Sequence, residues 1–192
     1  MKRLRQKLKS RRGMSLGELL CAVLILTLVS GGMASAVSLG VRQYQQSMRT
    51  SEAKVLCSTL ETVLRNELAY TTQIKLDGGN VKQFQSQNFA IKKNLSTLTT
   101  DAENSGDYGH IILANCDDPS EYMEILGKGA YTNGLLAKVD KDPSTDKEIF
   151  TYNKSNHCFM VQISVGCNGQ TYATRRFQVI NANYKKLEQS MS

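Results

Sequence analysis

The chain contains no tryptophan, only two prolines (Pro119 and Pro143) and only two histidines (His110 and His157). Two isolated histidines give no imidazole cluster for a catalytic metal. No pair among the five cysteines has C-x-x-C spacing, which removes the usual zinc and dithiol-redox patterns. With the first proline at 119, no such helix breaker interrupts residues 14–70. There is no internal repeat and no low-complexity segment, so neither a solenoid nor a disordered array is indicated. Residues 19–41 carry no charge at all.

Charge is present elsewhere, and it is unevenly placed. The formal net charge of +7 would ordinarily direct attention to nucleic acid or an acidic membrane surface. Seven of the 24 basic residues, however, lie in the first 13 positions, which contain none of the 17 acidic ones. Beyond Gly13 the chain holds 17 basic residues against 17 acidic, so no nucleic-acid partner is inferred from charge. The basic segment instead acts on topology, because Lys and Arg favour the cytoplasmic side of a membrane. The domain after the helix is then expected outside.

Gly13-Met14-Ser15-Leu16-Gly17-Glu18 closes that basic segment and opens the uncharged run. As a helix the 23 residues from 19 to 41 would extend roughly 34 Å, enough to cross a bilayer's hydrocarbon core. Glu18 stands at the edge of the run. A carboxylate inside a membrane helix costs about 2.5–3.5 kcal/mol at the bilayer centre and less near the interface. Ser15-x-x-Glu18 fits a capping box, which would satisfy free N–H groups at a helix start. A cap alone does not account for the all-basic segment that stops at Gly13.

A basic leader ending in Gly, a Glu five positions later and a long apolar helix resemble the type IV prepilin and pseudopilin family. The resemblance covers the N-terminal third of the chain. It implies cleavage between Gly13 and Met14 by a prepilin peptidase, methylation of the new Met14 terminus, and assembly through Glu18. Glu18 would there face the amino terminus of a neighbouring subunit. The implied partners are other pilin subunits, the peptidase, a membrane assembly platform and, before assembly, membrane lipid. The chain departs from the family pattern in Met14, where Phe is commonest, in Gly17, where a large aliphatic is usual, and in lacking a proline in the membrane helix. The rival account of the N-terminus is an ordinary secretory signal with Ala34-Ser35-Ala36 as its cleavage site.

Beyond residue 41, Val41, Tyr44, Met48, Val55, Cys57, Leu60, Val63, Leu64 and Leu68 fall largely at spacings of three and four, with charges between them. This predicts an amphipathic continuation of the same helix to about residue 70. The boundaries are then a leader at 1–13, a transmembrane and assembly half at 14–41, an amphipathic half at 42–70 and an extracytoplasmic domain at 71–192. Within the domain, segments 73–76 and 81–84 flank Asp77-Gly78-Gly79-Asn80 as a hairpin. Residues 111–114 read as a buried strand and 122–126 as a short apolar run. Segments 159–165 and 172–180 form a closing hairpin about a turn at 166–169. The polar stretch 85–107 receives no assignment, residues 138–147 read as an exposed loop, and the tail from Asn181 reads as a strand end or frayed. The fold class is α+β: a long N-terminal helix packed on a C-terminal antiparallel sheet, the layout of pilins.

Cys21 lies in the membrane run as a small apolar filler. Four cysteines outside it allow three pairings. Cys158 and Cys167, placed about the expected closing turn, are the candidate disulfide, with the other pairings open. His157-Cys158 suggests no catalytic pair, since neighbours in a strand face opposite ways. Asp140, Asp142, Ser144, Asp146 and Glu148 alternate like a calcium loop but lack its Gly and closing Glu, so a solvated turn is expected. Asn94 and Asn153 match the short N-x-S/T pattern, as chance alone would allow. No catalytic residues, metal or cofactor are expected. The residues support a structural subunit of a type IV pilus or secretion-like filament, a minor pilin or pseudopilin. The alternative is a secreted or membrane-tethered binding domain.

Overall fold

The computed structural model describes residues 15–87, 95–101, 108–118, 120–144 and 147–190. One helix, α1, runs unbroken over Leu16–Ala69, through Gly31-Gly32, as the missing prolines allow. The chain divides within this helix into a unit ending at Gln46 and a second beginning at Ser47. In the first unit every described residue is exposed. In the second, α1 buries one stripe against an antiparallel sheet, giving the α+β architecture.

The sheet has nine strands: β1 (Thr71–Asp77), β2 (Asn80–Ser86), β3 (Ser96–Asp101), β4 (His110–Asn115), β5 (Tyr122–Glu124), β6 (Leu136–Val139), β7 (Phe150–Asn153), β8 (Cys158–Cys167) and β9 (Gln170–Ile180). A 3-10 turn at Lys128–Ala130 precedes β6, and a short helix α2, Tyr184–Ser190, is the last described element. Neighbouring strands follow the order β5-β4-β3-β2-β7-β8-β6, with β1 on β2 and β9 on β8. Both expected hairpins form. Gly78-Gly79 joins β1 to β2 with φ of 61° and 94°, and Asn168-Gly169 joins β8 to β9 with φ of 51° and 78°. Two consecutive positive φ angles match the twist of a tight hairpin, and Gly or Asn adopts them at little steric cost.

The helix stripe buried on the sheet is Ala53, Leu56, Cys57, Leu60, Leu64 and Leu68, packed with Phe84, Phe150, Phe159, Ile163 and Leu187. Spacings of three and four keep these side chains on one side of the helix. The phase differs from the expected one. Tyr44, Met48 and Val55 are exposed, and Ala53 and Leu56 replace them at the interface. Cys57, Leu60, Leu64 and Leu68 are buried as their periodicity predicts.

Two further expectations are corrected, and one unassigned stretch is placed. Residues 138–147 are not wholly an exposed loop: Lys138 and Val139 belong to β6, and Asp140 is buried. Asp140 accepts hydrogen bonds from Gln162 Nε2 at 2.9 Å and Ser164 Oγ at 2.7 Å, which replace the water a solvated turn would use. The polar stretch 85–107 contains β3, paired with β4 over six residues, while 88–94 and 102–107 lie outside the described residues. Residues 181–190 are ordered rather than frayed. Asn181 is buried, and its Nδ2 donates to Leu68 O at 3.2 Å and Thr71 O at 2.9 Å. Ala182 N donates to Ala69 O at 2.8 Å. The last carbonyls of a helix have no partner within it, and here the tail supplies them.

Polar groups fix α1 on the sheet. Glu61 receives Arg65 Nε at 2.8 Å and Arg175 Nε at 2.7 Å. Burial works against the charge of Glu61, but the two guanidiniums outweigh it and hold its carboxyl below the usual range. Glu67 behaves oppositely. Burial pushes its carboxyl up, and a single hydrogen bond from Ser86 Oγ, at 2.7 Å, pulls only weakly the other way.

Candidate functional site

The candidate site is the start of α1 and the apolar surface that follows it. Ser15 N donates to Glu18 Oε2 at 2.9 Å, and Glu18 N donates to Ser15 Oγ at 3.2 Å. These two bonds are a reciprocal capping box, each side chain satisfying a backbone donor that the first turn leaves free. Among the described residues, this is all that Glu18's carboxylate binds, so most of its hydrogen-bonding capacity is unused. Gly13 and Met14, the expected processing positions, lie outside the described residues.

From Leu16 to Val41 the helix displays thirteen large apolar side chains, each at least half exposed. At about 25 cal/mol per Å², each leaves on the order of 1 kcal/mol of unburied apolar surface. The sum is comparable to the whole stability of an ordinary domain, so this surface needs lipid or protein around it. The helix is long and apolar enough to cross a membrane, with an 18-residue window of mean hydropathy 2.2 and none of it buried.

Polar atoms within the run are satisfied locally. Thr27 Oγ1 donates to Leu24 O at 2.8 Å, Ser30 Oγ to Leu26 O at 2.7 Å and Ser35 Oγ to Gly31 O at 3.0 Å. Hydroxyls turned back onto the helix carry little cost into an apolar surround. A side-chain carbon at Gly31, Gly32 or Gly40 would meet nothing within 4 Å. These positions are notches where another backbone could approach closely.

The cysteines do not form the expected link. Cys158 and Cys167 are the first and last residues of β8, and both thiols are free. Nine strand steps separate them by roughly 30 Å, while a disulfide needs Cα atoms within about 7 Å. The turn they were expected to flank begins one residue after Cys167, at Asn168. Cys57 is buried against β9, and burial raises its thiol to about 11.

The remaining chemistry is dispersed. His157 sits at φ 51° in the turn before β8, with Nδ1 3.0 Å from Glu188 Oε1 and its ring stacked on Tyr184. His110 lies against Tyr131, with Nδ1 4.0 Å from Glu124. Among the described residues no three His, Cys, Asp or Glu side chains are grouped to hold a metal ion. Asp140 faces Gln162 and Ser164, and Asp146 of the acidic alternation lies outside the described residues, as does Asn94. Sequence reasoning found Glu18 but missed the bonds of Glu61 to Arg175, Glu67 to Ser86 and Asn181 to Leu68, which span 19 to 114 residues; only the Glu61–Arg65 pair is local, at i and i+4. Compared with protein-family models, curated proteins and solved structures, the chain matches none.

Proposed function

We propose that this chain is a structural subunit of a type IV pilus or type II secretion-like filament, in the manner of a minor pilin or pseudopilin. It enters the cytoplasmic membrane with its basic leader inside and its sheet domain outside. A prepilin peptidase cuts after Gly13, and the membrane assembly platform draws the apolar helix from lipid into a bundle of subunit helices. The filament then lies in the periplasm or outside the cell. The observation that carries this reading is one carboxylate, Glu18, at the head of 23 uncharged residues, in the part of α1 up to Gln46 where every described residue is exposed.

The capping box does not compete with this role. It consumes one oxygen of Glu18 and leaves the other free to meet a cation, and a new amine on Met14 would be that cation in a neighbouring subunit. An ion pair in an apolar surround needs both charges, so removing one leaves the other buried and unpaired. The reading therefore separates cleavage from assembly.

Glu18→Leu is expected to leave cleavage after Gly13 intact and to abolish filament incorporation, while Ser15→Ala weakens the cap and retains incorporation. Mass spectrometry of the mature chain and filament fractionation read these outcomes. A mature chain that begins near Val37, or a Glu18→Leu chain that assembles normally, overturns the proposal in favour of a secreted or tethered binding domain.

A further inference from the structure

The sheet face turned away from α1 carries a feature unrelated to assembly. Three ladder registers place four residues in one transverse row: Asn80 of β2 opposite Thr151 of β7, Thr151 opposite Met160 of β8, and Met160 opposite Gln178 of β9. Directly opposed residues of an antiparallel sheet share a face. One step along these strands, Phe150, Val161 and Phe177 are buried on the helix side, which fixes the Asn80 row on the other side. The row floors an open concavity of about 440 Å³, within the size range of small-molecule sites. The turn between β7 and β8 adds Lys154 and Asn156 to its wall.

The side chains of Asn80, Thr151, Lys154, Asn156 and Gln178 make no hydrogen bond to another protein group among the described residues. They converge on the concavity with their donors and acceptors unused. The lining excludes most ligand classes. It contains no carboxylate, so it has nothing to hold a cation. Lys154 lines it and Arg176 Nη2 reaches Met160 Sδ at 3.0 Å beside it, two cations and still too few for a polyanion. The backbone of the row is spent on the ladder, so no strand can be added there. Apolar side chains are few, Met160 and Cys158 chief among them, which does not suit a lipid tail. What is left is four amides, Asn153 with its oxygen already accepting from Ser155 N at 2.9 Å, and the Thr151 hydroxyl, arranged around Met160. Ring hydroxyls of a sugar also donate and accept, and the C–H face of the ring can lie against the side-chain carbons of Met160, whose Sδ already accepts from Arg176 Nη2 at 3.0 Å and Nε at 3.2 Å.

From this juxtaposition of residues 80, 151, 160 and 178 we propose that the outer sheet face is a binding site for a neutral saccharide. The proposal is independent of filament assembly, since none of these residues belongs to α1.

The test uses the full chain in detergent micelles, with saturation-transfer NMR against neutral hexose and N-acetylhexosamine oligosaccharides and against uronic-acid oligosaccharides. Binding of a neutral oligosaccharide is expected with a dissociation constant of about 1 mM or tighter, and with contacts to one or two sugar rings. Thr151→Ala combined with Gln178→Ala is expected to weaken it roughly tenfold or more, about 1.4 kcal/mol. Met160→Trp tests the same site by filling it, and unchanged circular dichroism shows that each variant is folded. Three outcomes overturn the proposal: no neutral oligosaccharide binds, binding survives all three substitutions in folded protein, or only acidic sugars bind and Lys154→Ala removes them.

Discussion

The two halves of α1 share a secondary structure and almost nothing else. Residues 16–46 are helical with every side chain exposed, whereas residues 47–69 bury Ala53, Leu56, Leu60, Leu64 and Leu68 beside charged residues that face water. Within the first half, residues 19–41 carry no charge on any side and so cannot choose a buried side. The second half is apolar on one side, and a sheet covers that side. Helix formation is thus a poor guide to what a helix does. The distribution of charge around it is the better guide, because burial of a stripe needs a polar remainder and immersion in lipid needs none.

The comparison is broken most directly by trimming each half in turn. Leu60→Ala removes a side chain with no exposure and is expected to cost about 2–5 kcal/mol in thermal unfolding of the sheet domain. Leu24→Ala, on the exposed half, should change that unfolding by less than about 0.5 kcal/mol. Equal losses would mean that the exposed half is packed in the folded chain after all.

Asn181→Ala sharpens the same contrast at the far end of the helix. It strips the donors from Leu68 O and Thr71 O and is expected to cost about 1–3 kcal/mol, read by denaturant unfolding. Faster hydrogen exchange in the last turn of α1 should accompany the loss.

Glu67→Gln acts in the opposite direction. Glu67's folded carboxyl is raised by burial, so its protonated form favours the folded chain, and that contribution fades as pH rises through the raised value. At pH 7 the wild type bears the cost of a buried charge, and Glu67→Gln should raise Tm. The advantage should shrink as pH falls and vanish below the unfolded carboxyl's pKa of about 4.3. A Tm difference that does not vary between pH 7 and pH 4 would sink this account.

The smallest effect is chemical. Cys57, buried and with its thiol raised to about 11, should resist alkylation at pH 8 until the domain unfolds. Cys21, exposed on the apolar half, should be shielded only by lipid or detergent, so changing the micelle should change its labelling while Cys57's stays constant.

Several elements are legible in the residues alone. The long helix follows from the absence of proline and the run of apolar residues, and both hairpins from Gly78-Gly79 and Asn168-Gly169. The capping box at Ser15 and Glu18 could be read because all its parts lie within four residues. The helix stripe was half legible. Cys57, Leu60, Leu64 and Leu68 were in phase, but Val55 tracks a second apolar line on the exposed side, and periodicity alone does not rank two stripes. The disulfide expectation failed because the turn begins at Asn168, which puts Cys158 and Cys167 at opposite ends of one strand rather than on facing strands.

What the sequence determined by itself is local: where α1 starts and how it is capped, that residues 19–41 need an apolar surround, and which dipeptides turn the chain. Only the tertiary structure decided that Asn181 finishes α1, that Arg175 meets Glu61, that Asp140 is buried and that residues 80, 151, 160 and 178 share one row. The reason is range. A cap or a tight turn is fixed by contacts within a few residues, so its chemistry is written contiguously. Contacts across a sheet depend on register and twist, which arise only when all the strands pack at once.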